Sequence, residues 1–137
     1  MIKGVSQGKI KRGQLYLVMP PGDPWIYSKR LVLVVQNDIG NRFCPTIIVT
    51  PLIDDTSTKN LFFSVDIPQG RVQGLYKDQV ALLFQLFTLP RDQFVPDNLI
   101  GAIPIDLMQK VDKGLKLSLG LSTIQQLHNR FYQAQGV

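Results

Sequence analysis

The residues best suited to chemistry are few in this sequence, and most fall short of a site. His128 is the only histidine and Cys44 the only cysteine, so a cluster of His and Cys with metal-ligand spacing is excluded, and with it a structural zinc centre. A Ser-His-Asp or Cys-His arrangement would have to run through His128. Cys44, next to Pro45, reads as a small core residue rather than a nucleophile. All 10 acidic residues are aspartates, which removes every mechanism that needs a glutamate. Asp54 and Asp55 are adjacent in a polar stretch and read as solvated surface. The glycines form neither a dinucleotide-binding nor a P-loop fingerprint. No metal and no cofactor is expected.

What remains is Lys29 and Arg30, directly before the apolar run Leu31–Val35. A guanidinium presents forked donors to phosphate oxygens, but its high pKa makes it a poor general base. Cleavage of RNA fits those properties, because the substrate's own 2′-hydroxyl attacks the phosphate. The protein then has to position the strand, stabilise the added negative charge and help move protons. The other reading of the pair is a surface charge couple at the start of a strand.

The charge balance leaves both open. Fifteen Lys and Arg against 10 acids give a formal charge of +5, which raises the weight of a polyanionic partner only modestly. The placement is more informative: Lys3, Lys9, Lys11, Arg12, Lys29, Arg30 and Arg42 precede residue 43, against Asp23 and Asp38 alone. No apolar run reaches the ~20 residues needed to cross a bilayer, and the first residues lack the apolar stretch of a signal peptide. The expectation is a cytoplasmic protein with no membrane association, and at 137 residues a single domain.

The elements that would hold these side chains are mainly β. Gln14–Met19 alternates with period two and ends at Pro20, Pro21 and Gly22. Leu31–Val35 is an unbroken branched run suited to a strand covered on both faces. Asn37–Asn41 supplies a turn. Thr46–Val49, Leu61–Ile67 and Val80–Leu86 read as further strands, with a polar loop over 54–60 and a turn between Gly70 and Gly74. Strands this short and closely spaced suggest a closed or partly closed small barrel. The period then changes. Ile105, Met108, Val111, Leu115 and Leu119 form one helical stripe, started at Pro104 and stopped at Gly120. Ser122 and Gln125 make a capping box ahead of Ile124, Leu127 and Phe131, which predicts a final helix. Residues 1–121 are read as the barrel domain and 122–137 as its helical extension.

Several segments in order resemble the MazF/PemK toxins: Lys11–Tyr16, Arg30 before its strand, Gln36–Arg42, Pro45–Val49, Val111–Asp112 and Leu117–Leu121. The resemblance implies a mainly β fold with C-terminal helices, an SH3-like small barrel of the MazF/PemK/CcdB kind. It implies a homodimer, metal-independent cleavage of single-stranded RNA, and inhibition by an antitoxin peptide or protein. The family's catalytic arginine falls on Arg30. Lys29, Asn37, Thr50, Gln85 and Thr88 are the substrate-binding candidates. The family's catalytic threonine falls by spacing on Ile53, which has no hydroxyl; Thr50 and Thr56 flank it out of register and are the hydroxyls that could replace it. The family's E-Q-I-R-T segment reads Phe84-Gln85-Leu86-Phe87-Thr88 here. Trp25 and Tyr27 are placed to stack on unpaired bases, to cover the barrel or to make a dimer contact. Two further readings stay open: a binding module on the same fold with catalysis weakened or lost, and a gyrase inhibitor of the CcdB type, the last on fold analogy alone.

Overall fold

The computed structural model describes residues 9–19, 29–55 and 63–122. The expectations about Trp25, Tyr27 and Thr56, the polar loop beyond Asp55, His128 and the final helix lie outside them.

Among the described residues seven strands and two α-helices follow one another in the order β1 (Gln14–Val18), β2 (Arg30–Val34), α1 (Asp38–Phe43), β3 (Thr46–Ile53), β4 (Ser64–Ile67), β5 (Gln79–Leu82), β6 (Phe87–Pro90), β7 (Leu99–Ala102) and α2 (Ile105–Ser118). They build one curled antiparallel sheet in the order β4-β5-β3-β2-β1-β7, with β6 also paired to β3. β3 is the pivot. It shares one edge with β2 and divides the other between β6, over Thr46–Val49, and β5, over Leu52–Ile53. That division is what curls the sheet into a half-barrel, as the mainly β expectation required.

The two faces of the sheet carry separate cores. Leu15, Leu33, Leu52, Ala81 and Leu83 pack beneath Leu107, Val111 and Leu115 of α2. Tyr16, Val18, Val32, Val34, Val49 and Phe94 form the second core on the opposite face, where the Tyr16 and Phe94 rings meet edge to face at 5.1 Å. β2 is therefore covered on both sides, as its unbroken apolar run indicates. α2 needs the burial of its stripe, because isolated helices of this length are marginal in water. It ends at Gly120, whose φ of +73° lets the chain reverse so that the Leu121 N–H reaches the Lys116 carbonyl at 2.7 Å.

Several expectations are corrected. The turn over Asn37–Asn41 is the start of helix α1, and the proposed strand Val80–Leu86 stops at Leu82 in a turn, after which β6 begins. β7 carries no strand-like alternation and was not expected. The α2 stripe runs through Leu107, Val111 and Leu115, while Ile105 and Leu119 are 78% and 54% exposed. Cys44 is exposed at the end of α1 rather than in the core.

Candidate functional site

The Gln36–Arg42 stretch is the most distinctive segment of the sequence, and the structure gives it a structural task. Gln36 and Asn41 are buried. The Gln36 amide nitrogen donates to the Thr46 carbonyl at 3.0 Å and to Asn41 Oδ1 at 3.3 Å, while Asn41 Nδ2 donates to the Gln36 carbonyl at 2.8 Å and to Asp38 Oδ1 at 3.1 Å. Asn37 caps α1 by accepting the Gly40 N–H at 2.8 Å. Asp38 also accepts the Arg12 N–H, a contact that, ahead of its bond to Asn41, holds its carboxyl below the usual carboxylate range. This network fixes α1 between β2 and β3. The side-chain oxygen of Asn37, a substrate-binding candidate, is thus already engaged in the cap.

Arg30 opens β2 and is exposed, with Lys29, also exposed, just before it. Its strand partner in β1 is Val18. On the other side Val32 faces Pro51 and Leu33 faces Thr50; carried two residues further, the same register sets Arg30 across from Ile53, the last residue of β3. Cross-strand partners share a face and alternate along the strand. Arg30 and Ile53 therefore point away from α2, to the side of Val32 and Val34. The position opposite the guanidinium is apolar.

The other arginines of the described residues are committed. Arg12 pairs with Asp112 and donates through Nε to the Val35 carbonyl at 2.7 Å, tying the start of β1 to α2. Arg71 pairs with Asp106 at 2.6 Å, and that bond is the main reason the Asp106 carboxyl is held below its usual range. Arg91 donates to the Cys44 carbonyl at 2.9 Å and Arg42 lies over the Phe43 ring. Among the described residues, Arg30 is the one arginine whose side chain makes no hydrogen bond, ion pair or ring contact with another described residue.

The remaining candidates do not gather around it. Thr50 is fully buried and its hydroxyl donates to the Leu82 carbonyl at 2.6 Å. It lies as a core residue on the α2 face with Leu33 and not on the face of Arg30. The reason is parity, since it is three residues from Ile53 and so on the other face. Thr88 is exposed but pairs with Ile48, which shares the Thr50 face. Gln85 is exposed in the turn after β5. On that same α2 side a cleft of about 400 Å³ lies between Arg12, Ile48, Leu86, Leu115 and Leu119, remote from Arg30.

Strand pairing brings in residues that sequence reasoning missed. β5 runs beside β3 with Val80 facing Ile53, so Tyr76 and Lys77, shortly before β5, come to the Arg30 end of the sheet. Lys77 pairs with Asp54 at 3.5 Å, and Tyr76 is 93% exposed. No local signal marks them, because the pairing of β3 with β5 is not written in either segment.

The model of a protein family described as "PemK-like, MazF-like toxin of type II toxin-antitoxin system" matches residues 11–119. The chain is 36% identical over 116 residues to the endoribonuclease EndoA of Bacillus subtilis (strain 168), covering 82% of this chain and 96% of that protein. Among solved structures, MazF of Deinococcus radiodurans superposes with a TM-score of 0.63 at 20% identity, covering 82% of this chain and 98% of the other. An endoribonuclease in complex with its cognate antitoxin, from a mycobacterial species, gives a TM-score of 0.65 at 21% identity, covering 85% and 98%. These two likenesses establish the fold.

Proposed function

The chain belongs to the PemK-like, MazF-like toxins of type II toxin–antitoxin systems, and on that premise we propose that it is the toxin endoribonuclease of such a pair, cutting single-stranded RNA with Arg30 at the scissile phosphate. The observation that carries the reading is the solitary state of Arg30. An exposed guanidinium at a strand end, with no partner among the described residues, has its donors available for a phosphate.

The chemistry asked of it is limited. The 2′-hydroxyl of the substrate gives up its proton to water as its oxygen bonds to phosphorus. The bond to the 5′-oxygen breaks and that oxygen takes a proton from water, leaving a 2′,3′-cyclic phosphate and a 5′-hydroxyl. Arg30 stabilises the charge that builds on the phosphoryl oxygens between those events. Lys29, next in sequence and exposed, adds positive potential along the backbone of the strand. In this reading the charge stabilisation is assigned to Arg30 and Lys29. EndoA, whose name describes an endoribonuclease, and the antitoxin complex of the mycobacterial enzyme support the same assignment of substrate and partner. The protein acts in the cytoplasm as a homodimer neutralised by an antitoxin. Ile39 and Phe43, one turn apart on α1 and 75% and 73% exposed, provide apolar surface for such contacts.

The test is cleavage of a diverse single-stranded RNA pool in EDTA by the wild type and by Arg30→Ala. Loss of one preorganised donor set of this kind costs roughly 10²- to 10³-fold in rate. Equal cutting by both proteins removes Arg30 from the reaction, and no cutting by the dimeric wild type removes the activity. A second reading is favoured by one feature, the apolar Ile53 opposite Arg30: an RNA-binding or antitoxin-binding module with catalysis weakened. Salt-dependent RNA binding without cleavage is its signature.

A further inference from the structure

Tyr76 has no structural reason to be where it is. It is the most exposed large apolar side chain of the described residues, at 93%, while the backbone on both sides of it is fixed. Leu75 packs against the core under α2, and its N–H donates to the Val72 carbonyl at 3.2 Å. Gly74 is pressed against β7 so closely that a Cβ there would stand 2.4 Å from the Ile100 carbonyl oxygen. On the far side, Asp78 accepts the Gln69 N–H at 2.9 Å. A chain clamped at two points thus presents an aromatic ring to water, which forgoes burial worth roughly 1.5–3 kcal/mol for a large side chain. That arrangement suits a surface presented to a ligand from a backbone that is already set, so that little backbone freedom is lost on binding.

Its position supplies the ligand class. Val80 faces Ile53 and Ile53 stands across from Arg30, so the Val80 backbone is two interstrand spacings from Arg30. Tyr76 is four residues before Val80, which keeps it on the order of 20 Å or less from Arg30, a span of a few nucleotides. Next to it Lys77 is 72% exposed, and among the described residues its one ion pair is the 3.5 Å contact with Asp54, itself 56% exposed. Such a pair is weak, and the ammonium exchanges readily to a phosphate. A ring beside an exchangeable cation, at the Arg30 end of the sheet, matches the way sequence-tolerant proteins hold single strands by stacking bases and tracking phosphates.

We propose that Tyr76 is the stacking platform for one unpaired base of the RNA, a few nucleotides from the phosphate held by Arg30, with Lys77 on the intervening backbone. The assignment rests on the ribonuclease reading of the Arg30 site. Stacking adds affinity for the ground state and the transition state alike, so its loss raises KM and leaves kcat. From the usual worth of one stacked base, Tyr76→Ala raises KM roughly 5- to 150-fold, and Tyr76→Phe leaves it unchanged.

The experiment uses the full-length protein and an RNA whose mapped cleavage site carries a 2′-O-methyl group, with 2-aminopurine placed at successive positions. Wild type and Tyr76→Phe quench the fluorescence strongly at one position a few nucleotides from the cleavage site, and Tyr76→Ala loses the quenching there only. The side chain is exposed, so the alanine variant folds, and its unfolding midpoint is measured alongside. Unchanged KM and quenching in Tyr76→Ala, with normal cleavage by both proteins, overturns the platform and leaves the ribonuclease reading standing. The same holds if the variant instead loses affinity for a second copy or an antitoxin. A wild type that neither binds nor cuts RNA overturns both.

Discussion

Replacing Asn41 by alanine tests whether the Gln36–Arg42 network serves the fold or the reaction. Asn41 is 1% exposed and takes part in three side-chain hydrogen bonds of unequal consequence. Without it, Asp38 still accepts the Arg12 N–H at 2.7 Å and is open to water, and the Gln36 amide nitrogen still donates to the Thr46 carbonyl at 3.0 Å. The Gln36 carbonyl, by contrast, loses the 2.8 Å bond from Asn41 Nδ2 and is left buried without a donor. An orphaned acceptor costs about 1–3 kcal/mol, and the two weaker bonds add a fraction to that. The expected loss is about 2–4 kcal/mol, a fall in Tm of roughly 10 °C for a chain of this size. Denaturant unfolding, followed in parallel with RNA cleavage per folded molecule, gives both quantities. Asn41→Asp should be worse than the alanine, because a second carboxylate then faces both Asp38 and the Gln36 carbonyl. A loss under about 0.5 kcal/mol would refute the network argument. Full stability with abolished cleavage would move Asn41 into the active site.

Other substitutions probe the register. Ile53→Thr puts a hydroxyl across from Arg30 and should raise the cleavage rate at least ~10-fold if a group there assists proton transfer, at about 1 kcal/mol of stability for the lost apolar contact; single-turnover rates decide it. Thr50→Val removes the buried hydroxyl that bonds the Leu82 carbonyl and should lower stability by about 1–2 kcal/mol, with cleavage per folded molecule unchanged; an altered rate would mean that Thr50 faces the substrate after all. Asp38→Asn is a test by pH. The folded-state pKa of Asp38 is depressed, so its contribution is present above the unfolded value of about 3.9 and is lost as pH falls through the folded one. The variant should be less stable than wild type at neutral pH, and the difference should close progressively below about pH 4; a gap independent of pH sinks this account.

Much of the sheet was legible because its strands are marked locally. Gln14–Val18 and Arg30–Val34 carry alternation or unbroken branched runs, and turn formers bound them. The α2 helix was legible from its period. β7, Leu99–Ala102, was not, because Leu99 is 38% exposed and two of its four residues are glycine and alanine; such a strand is recruited by pairing with β1 and shows no pattern of its own. α1 was hidden for a different reason. A six-residue helix has too few positions to display a period, and what holds it is the Gln36–Asn41 network and the Arg91 bond to the Cys44 carbonyl, none of which is local propensity.

The candidate site divides along the same line. Arg30 could be named from its place before an apolar strand, but its availability could not. It shows only against Arg12, Arg71 and Arg91, which Asp112, Asp106 and the Cys44 carbonyl hold through contacts spanning up to 100 residues of sequence, and against Arg42 over the Phe43 ring. Thr50 does not share a face with Arg30, because alternate strand residues point to opposite sides, and only the pairing of Leu33 with Thr50 says which. The same pairing sets Ile53 across from Arg30. It stands where a proton-transfer group would be most useful, and its side chain has none to offer. On the proposed reading Arg30 supplies the charge stabilisation, while the proton-moving half has no occupant among the strand residues beside it. Ile53→Thr separates a ribonuclease that lacks one group from a binding module that has lost the reaction. Only in the first does the restored hydroxyl raise the rate.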